Sequence, residues 1–110
     1  MTEAIIIYIT CNSYKEAQNI GSILMKKRLS PCYNIVPEAS SAAFWPPKTG
    51  QVEEVKASIL LIKTFEGKYY EIEKEVRKVH SDKTPCILSL PIFQISKDYL
   101  KWMDSEIKLI

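Results

Sequence analysis

Residues 32–64 read CYNIVPEASSAAFWPPKTGQVEEVKASILLIKT, and the fold turns on them. Cys32–Phe44 is an extended segment interrupted by Pro37. Trp45–Gly50 holds two prolines and a glycine and reads as a turn or loop. Gln51–Thr64 is long, β-branched and apolar, and ends in Ile59-Leu60-Leu61-Ile62. Its length suits a strongly twisted hairpin with the preceding segment. Such a hairpin projects beyond what a 110-residue sheet needs and exposes unpaired edges, which proteins usually cover. Self-association is therefore expected from the residues alone.

Upstream, Glu3–Thr10 is rich in isoleucine and apolar on both faces, so it belongs at the centre of a covered sheet. Ser13-Tyr14-Lys15-Glu16 fits a capping box, in which serine and glutamate each satisfy a backbone N–H at a helix start. The following helix sets Ala17, Ile20, Leu24 and the stem of Arg28 on one stripe, and must stop by Ser30 because of Pro31. Downstream, Glu66–His80 reads as a helix with Tyr69, Ile72, Val76 and Val79 at spacings of three and four. Cys86–Ile92 is a short fourth strand, and Ser96 can cap a last helix carrying Tyr99, Leu100, Met103 and Ile107. The order is β-α-β-β-α-β plus a terminal helix, an α+β ferredoxin-like sandwich, in one domain spanning residues 1–110.

Composition excludes much chemistry. The three glycines, Gly21, Gly50 and Gly67, are too scattered for a phosphate loop. One histidine, His80, rules out a two-histidine zinc motif. Cys11, Cys32 and Cys86 lie 21 and 54 residues apart, with no C-x-x-C, and suggest reduced thiols in the cytoplasm. Fifteen basic and thirteen acidic residues give a net charge of +2. Only two of the basic residues, Arg28 and Arg77, are arginine, so no nucleic-acid partner is expected. The densest basic cluster, Lys26-Lys27-Arg28, reads as favourable charge at a helix C-terminus. The longest apolar run, Ala4–Ile9, is too short to span a bilayer, and Met1-Thr2-Glu3 carries no basic leader. Neither membrane insertion nor a signal peptide is expected.

The residues of these elements, taken in order from about Ile5 to Trp102, resemble the divalent-cation tolerance (CutA) family. Ile9-Thr10-Cys11 matches the end of the family's first strand. Lys27-Arg28-Leu29, Cys32 and Asn34-Ile35-Val36-Pro37 match its "KRLAAC-N-IP" signature. Gly50-Gln51-Val52-Glu53-Glu54 is similar to "GKIEE", and Ile62-Lys63-Thr64 to "IKT". His80, Pro85, Leu90-Pro91-Ile92, Tyr99-Leu100 and Trp102 follow its "HP…PE…ALPI" and "YLxW" segments. The resemblance implies a PII-like homotrimer, non-enzymatic, concerned with tolerance of copper and other divalent cations. It obliges no cofactor, and it leaves open a PII-like small-molecule sensor or a scaffold for an unidentified protein partner.

Some positions depart from the family pattern. Ala43 stands where the family has tyrosine, and Asp82, Lys83 and Cys86 replace other family residues. The copper ligands proposed for bacterial members fall on Ile9, Val79 and His80, so only His80 carries over. Cys86, at the start of a strand beside Cys11, suggests a soft-metal set of Cys11, Cys86 and His80 instead. The resemblance also directs Asn34, Trp45, Glu53, Lys63 and Trp102 towards a cleft between subunits. Glu53 and Glu54 alternate across their strand and cannot act as a carboxylate pair. Lys63, if buried, needs a counter-charge, and a carboxylate from another subunit is expected.

Overall fold

The computed structural model describes residues 3–108. Its elements run β1 (Ala4–Cys11), α1 (Tyr14–Lys26), β2 (Tyr33–Phe44) and β3 (Val52–Phe65). A 3₁₀ turn at Glu66–Lys68 leads into α2 (Tyr69–Val79), followed by β4 (Ile87–Pro91) and α3 (Lys97–Lys108). The strands form one antiparallel sheet in the order β2-β3-β1-β4. This is the expected ferredoxin-like α+β arrangement.

β1 is central, as its two-sided apolar sequence requires. Its odd positions Ile5, Ile7, Ile9 and Cys11 lie opposite Thr64, Ile62, Leu60 and Ser58 of β3. This inner face packs under α1 and α2, where Ile7, Ile9, Leu60 and Ile62 join Ala17, Ile20, Leu24, Ile72 and Val76 in the main core. Burying each large aliphatic side chain there contributes roughly 1.5–3 kcal/mol. The even positions Ile6, Tyr8 and Thr10 share the outer face with Lys63, Leu61 and Ile59. At one end of that outer face α3 covers Ala4 and Phe65 with Met103 and Ile107, forming a second, smaller core.

Two local features refine the sequence reading. α1 ends at Lys26, within the expected limit at Ser30. Arg28 takes a left-handed φ of 56°. The N–H of Leu29 then reaches the carbonyl of Leu24, and that of Arg28 the carbonyl of Met25, each at 3.0 Å. This is the Schellman closure, with arginine where glycine is usual. The Arg28 guanidinium is held at 2.9 Å by both the carbonyl and the carboxylate of Glu106 on α3. The second feature lies in β2, where Pro37 does not end the strand. It is accommodated by a register shift between Val36 and Ala39, with Glu38 at φ 52°.

Candidate functional site

The loop after β1 and the loop after α2 meet at the open end of the sheet. Ser13 caps α1, its Oγ accepting the N–H of Glu16 at 3.0 Å. The reciprocal half of the expected capping box is redirected. Glu16 Oε1 takes the N–H of Asn12, not Ser13, and its Oε2 takes the N–H of Ser81, both at 2.8 Å. The Asn12 amide in turn donates to Ser81 Oγ at 2.8 Å and Asp82 Oδ1 at 2.9 Å. Glu16 thus staples the two loops together.

His80, expected as the last residue of the helix, instead follows α2 with an extended backbone, and its ring turns back onto β1. The Asp82 N–H donates to Nδ1 at 3.0 Å, so Nδ1 is bare and the ring proton sits on Nε2. Nε2 then donates to the Thr10 carbonyl at 2.8 Å. Cys11, fully buried, completes the group: ligand atoms of Cys11, Glu16 and His80 all lie within 4.8 Å of one another.

Electrostatics fixes the state of this cluster. Burial pushes the Cys11 thiol up to about 12, helped by the negative charges of Glu16 and Asp82. It is a protonated thiol at neutral pH. Burial also raises the Glu16 carboxyl, but the N–H bonds from Asn12 and Ser81 and the nearby His80 outweigh it. The net effect holds Glu16 below its ordinary value. Both imidazole nitrogens and both carboxylate oxygens are therefore engaged, and the buried thiol keeps its proton. A resident metal ion does not fit this arrangement without breaking it.

The sequence-derived metal set is thus regrouped. Cys11 and His80 come together, whereas Cys86 stays apart. The Thr10 N–H bonds the Cys86 carbonyl at 3.2 Å, and the β1–β4 register places Cys86 opposite Thr10. Strand alternation then sends Cys86 to the outer face, where it is exposed, and Cys11 to the inner. Glu16 takes the third place. The sequence carried a signal for it, since the capping box singled it out, but that signal spoke of a helix end.

The five cleft residues fall into two groups. Lys63 Nζ donates to Asn34 Oδ1 at 2.8 Å and stands 5.8 Å from the centroid of the Tyr99 ring. Trp102 packs on Tyr99 at 5.3 Å. Trp45 and Glu53 sit instead at the tip of the β2–β3 hairpin, where the Trp45 N–H bonds the Gln51 carbonyl and Glu53 faces Ala43. Within the chain Lys63 pairs with an amide oxygen; among the described residues it forms no ion pair.

Fold and site together define a class: a small ferredoxin-like α+β protein whose titratable residues tie loops together and whose hairpin projects from the sheet. The chain belongs to the CutA1 divalent ion tolerance protein family, whose model matches residues 5–106. It is 37% identical over 102 residues to the divalent-cation tolerance protein CutA of Archaeoglobus fulgidus, covering 93% of this chain and 96% of that protein. It is 33% identical to the protein of the same name from Thermus thermophilus, covering 89% and 92%. The solved structure of the periplasmic divalent cation tolerance protein CutA from Archaeoglobus fulgidus superposes with a TM-score of 0.89 at 35% identity. That match covers 96% of this chain and 99% of the other. Among the described residues, no helix is long and apolar enough to cross a membrane.

Proposed function

We propose that the protein is a non-enzymatic, cytoplasmic homotrimer of divalent-cation tolerance that takes up copper or another divalent ion transiently. The observation that carries the metal reading is the convergence of Cys11, Glu16 and His80 within 4.8 Å. Thiolate, imidazole and carboxylate together suit copper or zinc. An incoming ion must displace the bonds of His80 to Thr10 and Asp82 and take the proton from a thiol held at about 12. Uptake is therefore weak and strengthens as pH rises. Three unpaired thiols support a reducing compartment. Trimerisation is supported by the exposed Phe44, Trp45, Val52 and Val55 on the projecting hairpin.

Copper(I) titration of the reduced protein against a competing chelator tests the metal reading. Cys11→Ser and His80→Asn each weaken uptake at least tenfold, while Cys86→Ser leaves it unchanged. Equal affinity in the Cys11→Ser, His80→Asn double variant overturns it.

A second reading, a trimeric sensor of small molecules, is favoured by one separate observation. Lys63, Asn34, Tyr99 and Trp102 converge from three elements on the outer face of the sheet, away from the loop cluster.

A further inference from the structure

We propose that the exposed segment Ser81–Thr84 is a strap over the ion site, and that ion uptake opens it, because strap and ion draw on the same ligand side chains; this rests on the metal reading and adds how that site is regulated. Three observations carry it. The first is access. Cys11 has no exposed surface, and Glu16 and His80 are half-buried. The cluster lies on the helix side of the sheet, where Cys11 joins the main core with Ala17 and Ile20. A site needs an entry path as well as ligands, so an ion reaches this thiol only if something moves.

The second observation is what holds the strap closed. It runs between half-buried His80 and buried Pro85, and its own four residues are all exposed. The N–H of Ser81 ends on Glu16 Oε2 at 2.8 Å, and the N–H of Asp82 ends on His80 Nδ1 at 3.0 Å. Both acceptors belong to residues of the ion site. A neutral imidazole has one in-plane lone pair, and here it is the one that accepts the Asp82 N–H. An ion on the imidazole takes the place of that N–H. An ion on Glu16 draws on the charge that now holds Ser81 and Asn12.

The third is that the ends of the strap do not depend on the ligand side chains. The His80 N–H bonds the Val76 carbonyl at 2.9 Å, and the Thr10 N–H bonds the Cys86 carbonyl at 3.2 Å. The end of α2 and the start of β4 can therefore stay in place while the four residues between them lift. Asn12 supplies a further tie, its Nδ2 reaching Ser81 Oγ and Asp82 Oδ1. The closed strap and the loaded site are two states of one loop, and linkage makes their coupling reciprocal. Ion uptake frees the Ser81 and Asp82 amides, and whatever weakens the closed strap tightens uptake. The Asn12 side chain donates to the strap and to no ligand of the ion, so removing it favours the open state. A residue that merely braced the site would weaken uptake when removed.

Amide hydrogen exchange on the reduced protein, free and saturated with copper(I), tests the strap; copper(I) is diamagnetic, so NMR can follow each amide. Saturation speeds exchange at Ser81 and Asp82 about tenfold and leaves Leu24 and Val76, inside the helices, unchanged. Asn12→Ala tightens copper(I) uptake roughly three- to tenfold, the worth of one hydrogen bond. The exchange comparison uses the wild-type chain and stands even if the variant fails to fold. Copper(I) that binds without loosening the two strap amides, or that loosens all four amides alike, overturns the strap and leaves the metal reading standing. Asn12→Ala binding copper(I) no more tightly than wild type does the same. If no copper(I) binds, both fall.

Discussion

Glu16 shows how one residue can be legible in the sequence for the wrong reason. Its spacing from Ser13 marks a helix start, and the helix does start there. Its carboxylate, however, reaches past the helix to the N–H of Ser81, 65 residues away, a contact no local pattern announces. The consequence is a pH dependence with a definite sign. The folded-state pKa of Glu16 is depressed, so its contribution is present above the unfolded value of about 4.3 and lost as pH falls through the folded one. Glu16→Gln, which keeps one acceptor, should cost about 1–3 kcal/mol at neutral pH and flatten the acid limb of stability, as urea melts between pH 3 and 7 would show. Cys11 acts in the opposite direction. Its folded pKa is raised, so its share of stability is intact below about 9 and declines as pH rises towards 12. The loss is up to about 1.4 kcal/mol per pH unit. Cys11→Ala removes this alkaline slope while losing about 1 kcal/mol of packing at neutral pH. An unchanged difference between wild type and Cys11→Ala from pH 7 to 11 would show that the thiol titrates normally.

Elements were easier to read than the contacts between them. Apolar and β-branched runs placed the four strands and spacings of three and four the helices, because each element buries apolar side chains drawn from nearby residues. The end of α1 was legible only as a limit, Ser30 before Pro31. Its stop signal is Arg28 in a left-handed conformation, held by Glu106 nearly eighty positions further on, and arginine gives no local hint of that. One member of the metal set was misplaced at the same level: Cys86 lay one register step from Cys11, and one step is a change of face. Gly21 offers a test of how α1 meets β2. A Cβ there would sit 2.7 Å from the ring of Tyr33, the first residue of β2. Gly21→Ala should therefore destabilise by about 1–3 kcal/mol despite alanine's better helix propensity, measured by thermal or urea melts. Gly21→Ala with Tyr33→Leu should recover part of the loss, since the obstacle is that ring.

The whole molecule is larger than its mass requires. It exposes 7446 Å² against about 6,200 Å² expected for a compact chain of this size. Its radius of gyration is 14.9 Å against about 13 Å. The excess comes from the β2–β3 hairpin, which stretches the long axis to 46 Å over cross-sections of 26 and 23 Å. A shape of that kind is economical only in an assembly, and the proposed trimer predicts a native mass three times 12.6 kDa, about 38 kDa. Val55→Glu on the exposed arm should shift that mass towards the monomer. A wild-type monomer at micromolar concentration would remove the subunit cleft from consideration.

The two cores on opposite faces of one sheet also set an order of assembly. The main core draws on residues 5–76, all of which emerge from a ribosome before α3 is made. The second core joins Ala4 and Phe65 to Met103 and Ile107, so it closes a loop of about a hundred residues and cannot begin until synthesis is nearly complete. The newborn chain can thus bury its isoleucines early, while the outer end of the sheet waits for the last helix to arrive.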